Sequence, residues 1–378
     1  MKKSYKIQFV HIIPLNEIKA NLIQTLNMCK SMSLNKQSVS LLLLTELSKK
    51  ESEKAINSII DDYSKFFQIN FILFKSKRNF FSEFQRFKVL KKHIDFSVDI
   101  LFTRSPLVSL FTALNKKNVI FESHNAYFTK QKTLNVIYKA LFKLLFKSKY
   151  LKLFISISDN LNNFWLEKGL PEEKSLSAHD GTEIIDYNEN STKVHIPFKD
   201  SDKLLVTYTG SLYIDRGLDR LIKLAKDFEN LNFLVVGGPA SNAQEFRMQC
   251  QKESINNIYF TGPVPHFKIA SYLNASDILL ALWSKKVPTI NYCSPLKVFE
   301  YMASNKLIIA DGFITIKEVL SHKKNALLVT PDDYSSLKAE LMNVYNDLSL
   351  LNLGLNNSNL IEEKYSWKKR CQLIIEKL

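Results

Sequence analysis

The chain has 378 residues and a formal net charge of +15, with 46% hydrophobic and 24% charged residues. This composition excludes a disordered or collagen-like chain, and the length is ample for two domains. No apolar run approaches the roughly 18 residues that a membrane-spanning helix needs. The four cysteines form no Cys-x-x-Cys pair and stand at positions 29, 250, 293 and 371. We therefore expect neither a disulfide framework nor a zinc site, and we expect a reducing, cytoplasmic compartment.

The positive charge is concentrated in the first half of the chain. Residues 1–190 contain 29 Lys and Arg against 18 Asp and Glu, whereas residues 191–378 contain 23 against 19. A surplus of this kind indicates an anionic partner, such as a membrane surface, a nucleic acid or an anionic acceptor. Because no recognition motif accompanies the charge, nucleic acid is not expected. A codon bias toward Lys in an AT-rich genome is an alternative explanation of the total.

Apolar segments of strand length alternate with amphipathic stretches along both halves. The first of them, beginning at Ile7, indicates a buried strand rather than a signal peptide, since Gln8 and His11 interrupt it. The segments are 7–13, 39–45, 69–74, 100–103, 119–122 and 153–156, then 204–208, 232–236, 258–261, 278–282, 307–310 and 326–329. This alternation predicts parallel sheets covered by helices, in two doubly wound α/β domains. The polar stretch 188–192 marks the linker, so the domains are predicted at 1–190 and from 191 onward.

The segment that begins Ser294-Pro295-Leu296-Lys297 has the signature of a helix start. Ser294 is the predicted N-cap and Pro295 the first helical residue, where its missing N–H costs nothing. The following amides can bind an anion at the positive end of the helix. Lys297 and Glu300 are three residues apart and share a helical face, and the predicted strand 307–310 follows. An anion-binding helix start, a Lys and a Glu able to bind hydroxyls are typical of a nucleotide-sugar site.

A second segment, from Gly210 to Gly217, follows the predicted strand 204–208. A strand that ends in Gly and a polar loop is where a doubly wound sheet binds its ligand. Arg216 would face the same crevice as the helix start, where a guanidinium can neutralise a diphosphate. The simpler alternative is an exposed Arg ahead of a glycine at a helix entry.

These motifs, in this order over about 150 residues, resemble the C-terminal domain of the family 4 retaining glycosyltransferases, which have the GT-B fold. The resemblance rests on Gly210…Arg216-Gly217, on Val235-Val236-Gly237-Gly238, on Phe260 to Val264, on Ala275-Ser276-Asp277, on Ser294 to Met302 and on Asn325 to Val329. The first half is similar more weakly, through Phe102-Thr103-Arg104, Phe121 to Asn125 and Ala178 to Thr182.

The resemblance implies two Rossmann-like domains that face a cleft. Residues 1–190 would bind the acceptor, residues 191–362 would bind the nucleotide sugar, and a helix at 363–378 would cross back to pack on the first domain. It also implies sugar transfer from a nucleoside-diphosphate sugar to a hydroxyl acceptor with retained configuration, without metal or other cofactor. The acceptor would be a glycan or a lipid-linked glycan of bacterial surface polysaccharide, such as lipopolysaccharide or capsule. The enzyme would then be cytoplasmic, or peripheral at the inner face of the plasma membrane.

The resemblance also assigns residues to three groups. The catalytic group is His124, Arg216, Lys297 and Glu300. The donor-binding group is Gly210, Ser211, Val264, Tyr292, Cys293, Ser294, Pro295 and Leu296. The acceptor-side group is Arg104, Glu122 and Asn125. Two positions depart from the family pattern, since Tyr292 replaces the first Glu of the Glu-x7-Glu pair and Ser211 replaces an Arg. We therefore expect backbone amides between Asn291 and Ser294 to contact the sugar.

Two other functions stay open. One is a nucleotide-sugar epimerase or hydrolase of the same fold, and the other is a non-catalytic basic protein that binds membrane or nucleic acid. The amphipathic stretch 134–147 is relevant to the second, because Lys139, Lys143 and Lys147 lie opposite an apolar arc. That arc contains Leu134, Ile137, Tyr138, Leu141, Leu144 and Leu145. The pattern fits a helix packed on the core and equally a helix lying on an anionic membrane.

Overall fold

The computed structural model describes residues 4–16, 18–75, 82–126, 132–183, 194–198, 202–213 and 216–378, without the side chains of 132–134. Its contacts divide the chain into two compact units. Unit 1 comprises Met1–Asp180 and Trp367–Leu378, and unit 2 comprises Gly181–Ser366. The predicted linker at 188–192 and the predicted limit at 190 lie outside the described residues.

Unit 1 is built on one parallel sheet of seven strands. The strands are β1 Lys6–Leu15, β2 Ser38–Thr45, β3 Gln68–Leu73, β4 Ile100–Thr103, β5 Asn118–Ser123, β6 Leu151–Ser156 and β7 Ser175–Ser177. Their order in the sheet is β3-β2-β1-β4-β5-β6-β7. The order reverses between β1 and β4, and ligands bind beyond the carboxyl ends of the strands at such a switch point.

Seven described helices belong to unit 1. They are α1 Ala20–Leu34, α2 Lys49–Asn57, α3 Ser82–Leu90, α4 Pro106–Leu114, α5 Lys132–Lys147, α6 Asp159–Glu167 and α14 Trp367–Glu376. Local sequence sets several of the starts. Ser48 and Glu51 form a reciprocal capping box at α2, and Ser105 caps α4, where Pro106 is the first residue. The final helix, α14, packs against α1, so the end of the chain belongs to unit 1.

Unit 2 is built on a second parallel sheet, of six strands. The strands are β8 Leu205–Thr209, β9 Asn232–Val236, β10 Ile258–Gly262, β11 Ile278–Ala281, β12 Leu307–Asp311 and β13 Leu327–Val329. The described helices are α7 Leu218–Asp227, α8 Ala240–Lys252, α9 Ile269–Asn274, α10 Leu296–Ala303, α11 Ile314–Lys317, α12 Tyr334–Asn346 and α13 Asn357–Leu360. The strand order is β10-β9-β8-β11-β12-β13, so the switch point lies between β8 and β11.

The predicted parallel α/β architecture is confirmed in both halves. All twelve predicted strands are present, and no end differs from the predicted one by more than two residues. The structure adds β7, which pairs with β6 at the edge of the first sheet. Its sequence, Ser-Leu-Ser, contains no apolar run, and none of its three residues is fully buried. The hydrophobic pattern therefore carries no signal for this strand.

Candidate functional site

The carboxyl ends of β8 and β9 come together at two glycines in unit 2. Gly210 follows β8 with a φ of +134°, a conformation that favours glycine, and its amide donates to the carbonyl of Val236 over 2.9 Å. A Cβ on Gly237 would collide with the Gly210 carbonyl oxygen. A Cβ on Gly210 would lie 3.3 Å from the ammonium nitrogen of Lys297. The glycines therefore leave room for a charged side chain to approach the strand ends.

Lys297 reaches this position from the first turn of α10. The hydroxyl of Tyr301, one turn further on, accepts a hydrogen bond of 2.8 Å from the Thr209 amide and so fastens α10 to the end of β8. The Lys297 ammonium lies 4.0 Å from the ring centre of Tyr208 and 4.9 Å from that of Trp283. Among the described residues this buried nitrogen has no hydrogen-bond acceptor. Its neighbours are instead the faces of two aromatic rings.

The surroundings of Lys297 disfavour its own charge. Burial lowers the pKa of Lys297 to about 7, and the positive charge of Arg216 acts in the same direction. Glu300 and Asp311 oppose this effect without cancelling it. Leaving a buried charged donor without an acceptor is costly, and a second cation nearby adds to the cost. The arrangement is therefore suited to an anion that would bind both positive groups.

The start of α10 differs from the prediction by one residue. The helix begins at Leu296, and Pro295 is the residue before it, with extended backbone angles of φ −74° and ψ 117°. Ser294 is therefore not the N-cap, and Pro295 is not the first helical residue. Because ψ of Pro295 is extended, the helix begins one residue later, at Leu296. The amide of Val298 already donates to the Pro295 carbonyl, whereas the amides of Leu296 and Lys297 have no carbonyl within the helix to bind.

Glu300 has a partner that the sequence did not reveal. Its carboxylate lies 2.8 Å from Nε2 of His266, in the short turn after β10. Burial alone would lower the pKa of His266, but the hydrogen bond and charge of Glu300 outweigh it and raise that pKa. Val264 lies two residues earlier on the same loop and is half-buried against the cluster that contains Tyr272. Thirty-four residues separate His266 from Glu300, so no local pattern could pair them.

The loop before α10 corrects one expectation about sugar recognition. The amides of Tyr292 and Cys293 both donate to the carbonyl of Thr289, over 2.9 Å. These two amides are therefore already bonded within the turn, and they lack the free N–H that a sugar contact requires. Ser211, at the position where the resemblance predicts a phosphate contact, is exposed next to Gly210.

A buried ion pair supports the aromatic ring beside Lys297. Arg220 of α7 binds both carboxylate oxygens of Asp311, at the end of β12, over 2.8 and 2.7 Å. Asp311 also accepts the backbone amide of Trp283 over 2.7 Å. Burial raises the pKa of Asp311, although Arg220 acts against this. The pair therefore fixes the position of Trp283. The only sign of the pair in the sequence is an Asp directly after the predicted apolar strand 307–310.

Unit 1 carries a separate group of polar side chains around Glu122, at the end of β5. The Glu122 side chain is fully buried and accepts hydrogen bonds from Arg104 over 2.9 Å, from His124 over 2.7 Å and from Arg370 over 2.9 Å. Burial alone would raise the pKa of Glu122, but Arg370 and Arg104 hold it well below its usual range. Glu122 therefore holds these cations in place, and it also lines the cavity beside them.

A cavity of about 490 Å³ opens beside this group, at the carboxyl ends of β1, β4 and β5. His124, Arg104 and Asn125 line it, together with His11 and Arg86. The structure therefore brings the predicted acceptor-side residues and His124 together within unit 1. It brings Arg216, Lys297 and Glu300 together within unit 2.

Comparisons with known proteins agree with this division. Residues 190–358 match the family model described as glycosyl transferases group 1. The matched stretch lies within unit 2. A protein of Methanocaldococcus jannaschii named uncharacterized glycosyltransferase MJ1607 is 22% identical over 207 residues, and the match spans about half of each chain, 52% in both cases. The stretch that matches the glycosyltransferase model contains Arg216, Lys297 and Glu300.

Solved structures resemble the chain along almost its whole length. Anabaena Alr3699/HepE in complex with UDP-glucose has a TM-score of 0.73 at 14% identity and covers 98% of both chains. Sucrose-phosphate synthase from Thermosynechococcus elongatus has a TM-score of 0.74 at 13% identity, covering 98% of this chain and 97% of its own. A glycosyltransferase from Rickettsia africae has a TM-score of 0.73 at 16% identity, with 99% and 97% covered. These likenesses confirm the predicted GT-B fold.

None of the described helices is both long enough and apolar enough to cross a lipid bilayer.

Proposed function

We propose that the protein transfers a sugar from a nucleoside-diphosphate sugar to a hydroxyl group of an acceptor. The observation that carries this proposal is the buried Lys297 ammonium, beside Arg216 and at the first turn of α10, with no hydrogen-bond acceptor among the described residues. A diphosphate supplies oxygens that the Lys297 ammonium lacks and that Arg216 can also bind. The match of residues 190–358 to the glycosyl transferases group 1 model supports the same reaction class.

In this mechanism the donor loses its sugar as the diphosphate departs. The negative charge that develops on the leaving oxygen is stabilised by Lys297, by Arg216 and by the amides of Leu296 and Lys297. We propose retention of configuration, with the acceptor attacking the same face of an oxocarbenium-like sugar. Positive side chains and helix amides then do the work that a divalent cation does in other glycosyltransferases.

Glu300 and His266 are proposed to bind the ribose. A carboxylate accepts hydrogen bonds from two neighbouring hydroxyls, and the 2.8 Å contact with His266 fixes its orientation. Val264 would lie at the start of the nucleobase pocket on the same loop. The Anabaena neighbour was solved with UDP-glucose, so UDP-glucose is the first donor to test here.

We propose that the acceptor binds in unit 1, in the cavity lined by His124, Arg104 and Asn125. A glycan or lipid-linked glycan of a bacterial surface polysaccharide is the proposed acceptor class. The excess of Lys and Arg over Asp and Glu in the first half of the chain supports the binding of unit 1 to an anionic surface.

The exposed face of α5 supports peripheral binding to an anionic membrane. Three apolar side chains on it are more than half exposed, namely Val136 at 64%, Ile137 at 54% and Leu144 at 59%. The exposed Lys139, Lys143 and Lys147 lie among them. The core side of α5 is formed instead by Phe142, Leu145 and Phe146. Of the predicted apolar arc, Leu145 is therefore buried in the core, whereas Ile137 and Leu144 are exposed at the surface. The side chain of Leu134 lies outside the described residues.

The membrane proposal has its own test. Lys139, Lys143 and Lys147 are changed together to Gln, and co-sedimentation with vesicles containing anionic phospholipid is measured at low and physiological salt. We expect binding by the native protein that weakens with salt, since charges are screened within about 8 Å at physiological ionic strength, and little binding by the variant. Absence of native binding at low salt would contradict the proposal.

The transfer proposal is tested by a thermal-shift screen of nucleotide sugars followed by product analysis. A donor that binds only the folded protein raises its melting temperature. We expect a shift with at least one nucleotide sugar, abolished in Lys297→Ala and kept in the exposed control Lys252→Ala. NMR of the products then distinguishes transfer from epimerisation or hydrolysis. No shift with any donor would contradict the assignment and favour a non-catalytic basic protein.

A further inference from the structure

Arg370 lies far from every predicted site residue in the sequence, yet it contacts the buried group around Glu122. It belongs to α14, the helix that ends the chain, and its side chain is almost fully buried. One of its terminal nitrogens donates to Oε2 of Glu122 over 2.9 Å. Its guanidinium also donates to the backbone carbonyls of Ala178 and His179 over 3.2 and 2.8 Å.

The two oxygens of Glu122 have different partners. Oε1 accepts from Gln24 over 3.0 Å, from Arg104 over 2.9 Å and from His124 over 2.7 Å. In the described part of the chain, the bond from Arg370 is what holds Oε2. A carboxylate held at both oxygens cannot rotate about its last bond. Arg370 therefore restrains the oxygen that His124 binds.

This contact decides which ring nitrogen of His124 carries hydrogen. An ionised carboxylate only accepts hydrogen bonds, so Nε2 of His124 must be protonated to donate to Glu122. In neutral His124 the other nitrogen, Nδ1, then carries a lone pair. No described residue donates to Nδ1. The ring is about a quarter exposed and lines the unit 1 cavity, so Nδ1 is able to accept a hydrogen bond from a hydroxyl.

We infer that Arg370 and Glu122 are positioning residues. They hold His124 with Nε2 protonated, so that Nδ1 accepts a hydrogen bond from a hydroxyl group of the substrate. The inference rests on the proposed transfer reaction for its kinetic consequence. Its structural content, the state of the His124 ring, does not depend on that reaction.

Several charged groups face Glu122 and would share in its titration. Arg104 and Arg370 lower its pKa, and so does His124. Asp180 is linked to it through Gln24, which donates to both carboxylates. Cys371, next to Arg370 on α14, is a thiol with a pKa raised to about 12 by burial, so it stays neutral. Among these charges, that of Arg370 lowers the pKa of Glu122 most. Removing Arg370 therefore raises the pKa of Glu122.

The kinetic test compares Arg370→Gln, Arg370→Lys and the exposed control Lys368→Gln on the same helix. We expect Arg370→Gln to lower kcat about 10- to 100-fold with little change in the donor KM, the scale of a misplaced catalytic contact. The acid limb of its pH profile should move to higher pH, because Glu122 protonates more easily. Arg370→Lys keeps the charge and should keep the acid limb near that of the native enzyme.

A double-mutant cycle separates positioning from a general structural role. If Arg370 acts through His124, Arg370→Gln should change kcat less than about twofold in a His124→Ala background. An equal loss in both backgrounds would overturn the inference. Melting temperatures of all variants show whether they are folded.

A spectroscopic readout is independent of catalysis. The chain has 7 histidines, so ¹⁵N-histidine labelling with His124→Ala as the assignment control gives a tractable spectrum. We expect neutral His124 with Nε2 protonated in the native protein, and a lower His124 pKa in Glu122→Gln, which removes a charge that raises it. An unchanged His124 titration in Glu122→Gln would overturn the inference. Absence of transfer by the native enzyme would instead overturn the proposed function alone.

Discussion

Donor affinity should fall steeply with pH because Lys297 must be charged to bind a diphosphate. In the ligand-free protein, burial lowers the pKa of Lys297 to about 7. A bound diphosphate favours the ammonium form, so the pKa of Lys297 in the complex is higher. Between these two pKa values, each donor molecule that binds brings a proton with it. The sign follows directly: raising the pH disfavours binding, because the free protein has lost the proton that the complex requires.

A Lys297 pKa of about 7 sets the size of the effect. Affinity should be nearly constant below pH 6 and about 10-fold weaker than this plateau at pH 8. At pH 9 it should be about 100-fold weaker, which corresponds to roughly 2.7 kcal/mol. At pH 8 about 0.9 proton should be taken up for each donor bound. A nucleoside-diphosphate sugar such as UDP-glucose suits this experiment, because its diphosphate is esterified at both ends and has no ionisation near neutral pH.

Isothermal titration calorimetry in buffers of different ionisation enthalpy measures both the affinity and the proton uptake. Lys297→Met should bind weakly at every pH, without proton uptake between pH 7.5 and 9. The exposed Lys252→Met is the matched control and should behave like the native protein. Equal native affinity at pH 7 and pH 9, or no proton uptake at pH 8, would refute the reasoning.

Two further predictions concern the same unit. Lys297→Ala and Arg216→Ala should each lower kcat about 100-fold, the scale of losing one electrostatic donor, and near-normal turnover of both variants in a transfer assay would contradict their role. Arg220→Met should destabilise unit 2 by about 3–5 kcal/mol, because it leaves the Asp311 carboxylate buried without its cation. Urea unfolding measures that loss, and a loss below about 1 kcal/mol would show that Asp311 protonates or finds another partner.

The strands were predictable because each is a short apolar run with polar flanks. In a parallel sheet covered on both faces, hydrophobic burial alone sets where such a strand lies. The strand β7 was missed because its three residues are only half-buried. The start of α10 was misplaced by one residue, since sequence preference cannot tell whether the backbone of Pro295 is helical or extended.

The residues proposed to bind the diphosphate around Lys297 were recognisable in the sequence, because they lie in one local motif. Its supporting contacts were not. Glu300 pairs with His266 from 34 residues away, and Glu122 pairs with Arg370 from 248 residues away. A single sequence contains no local signal for such pairs, because they form only when the fold brings distant strand and helix ends together.

A crystal structure with UDP-glucose bound tests the central claim most directly. We predict a diphosphate oxygen within about 2.7–3.2 Å of the Lys297 ammonium, with Arg216 and the amides at the start of α10 bound to the same diphosphate. A diphosphate bound elsewhere in the protein, with the Lys297 ammonium still next to the rings of Tyr208 and Trp283 and bonded to no ligand oxygen, would contradict it.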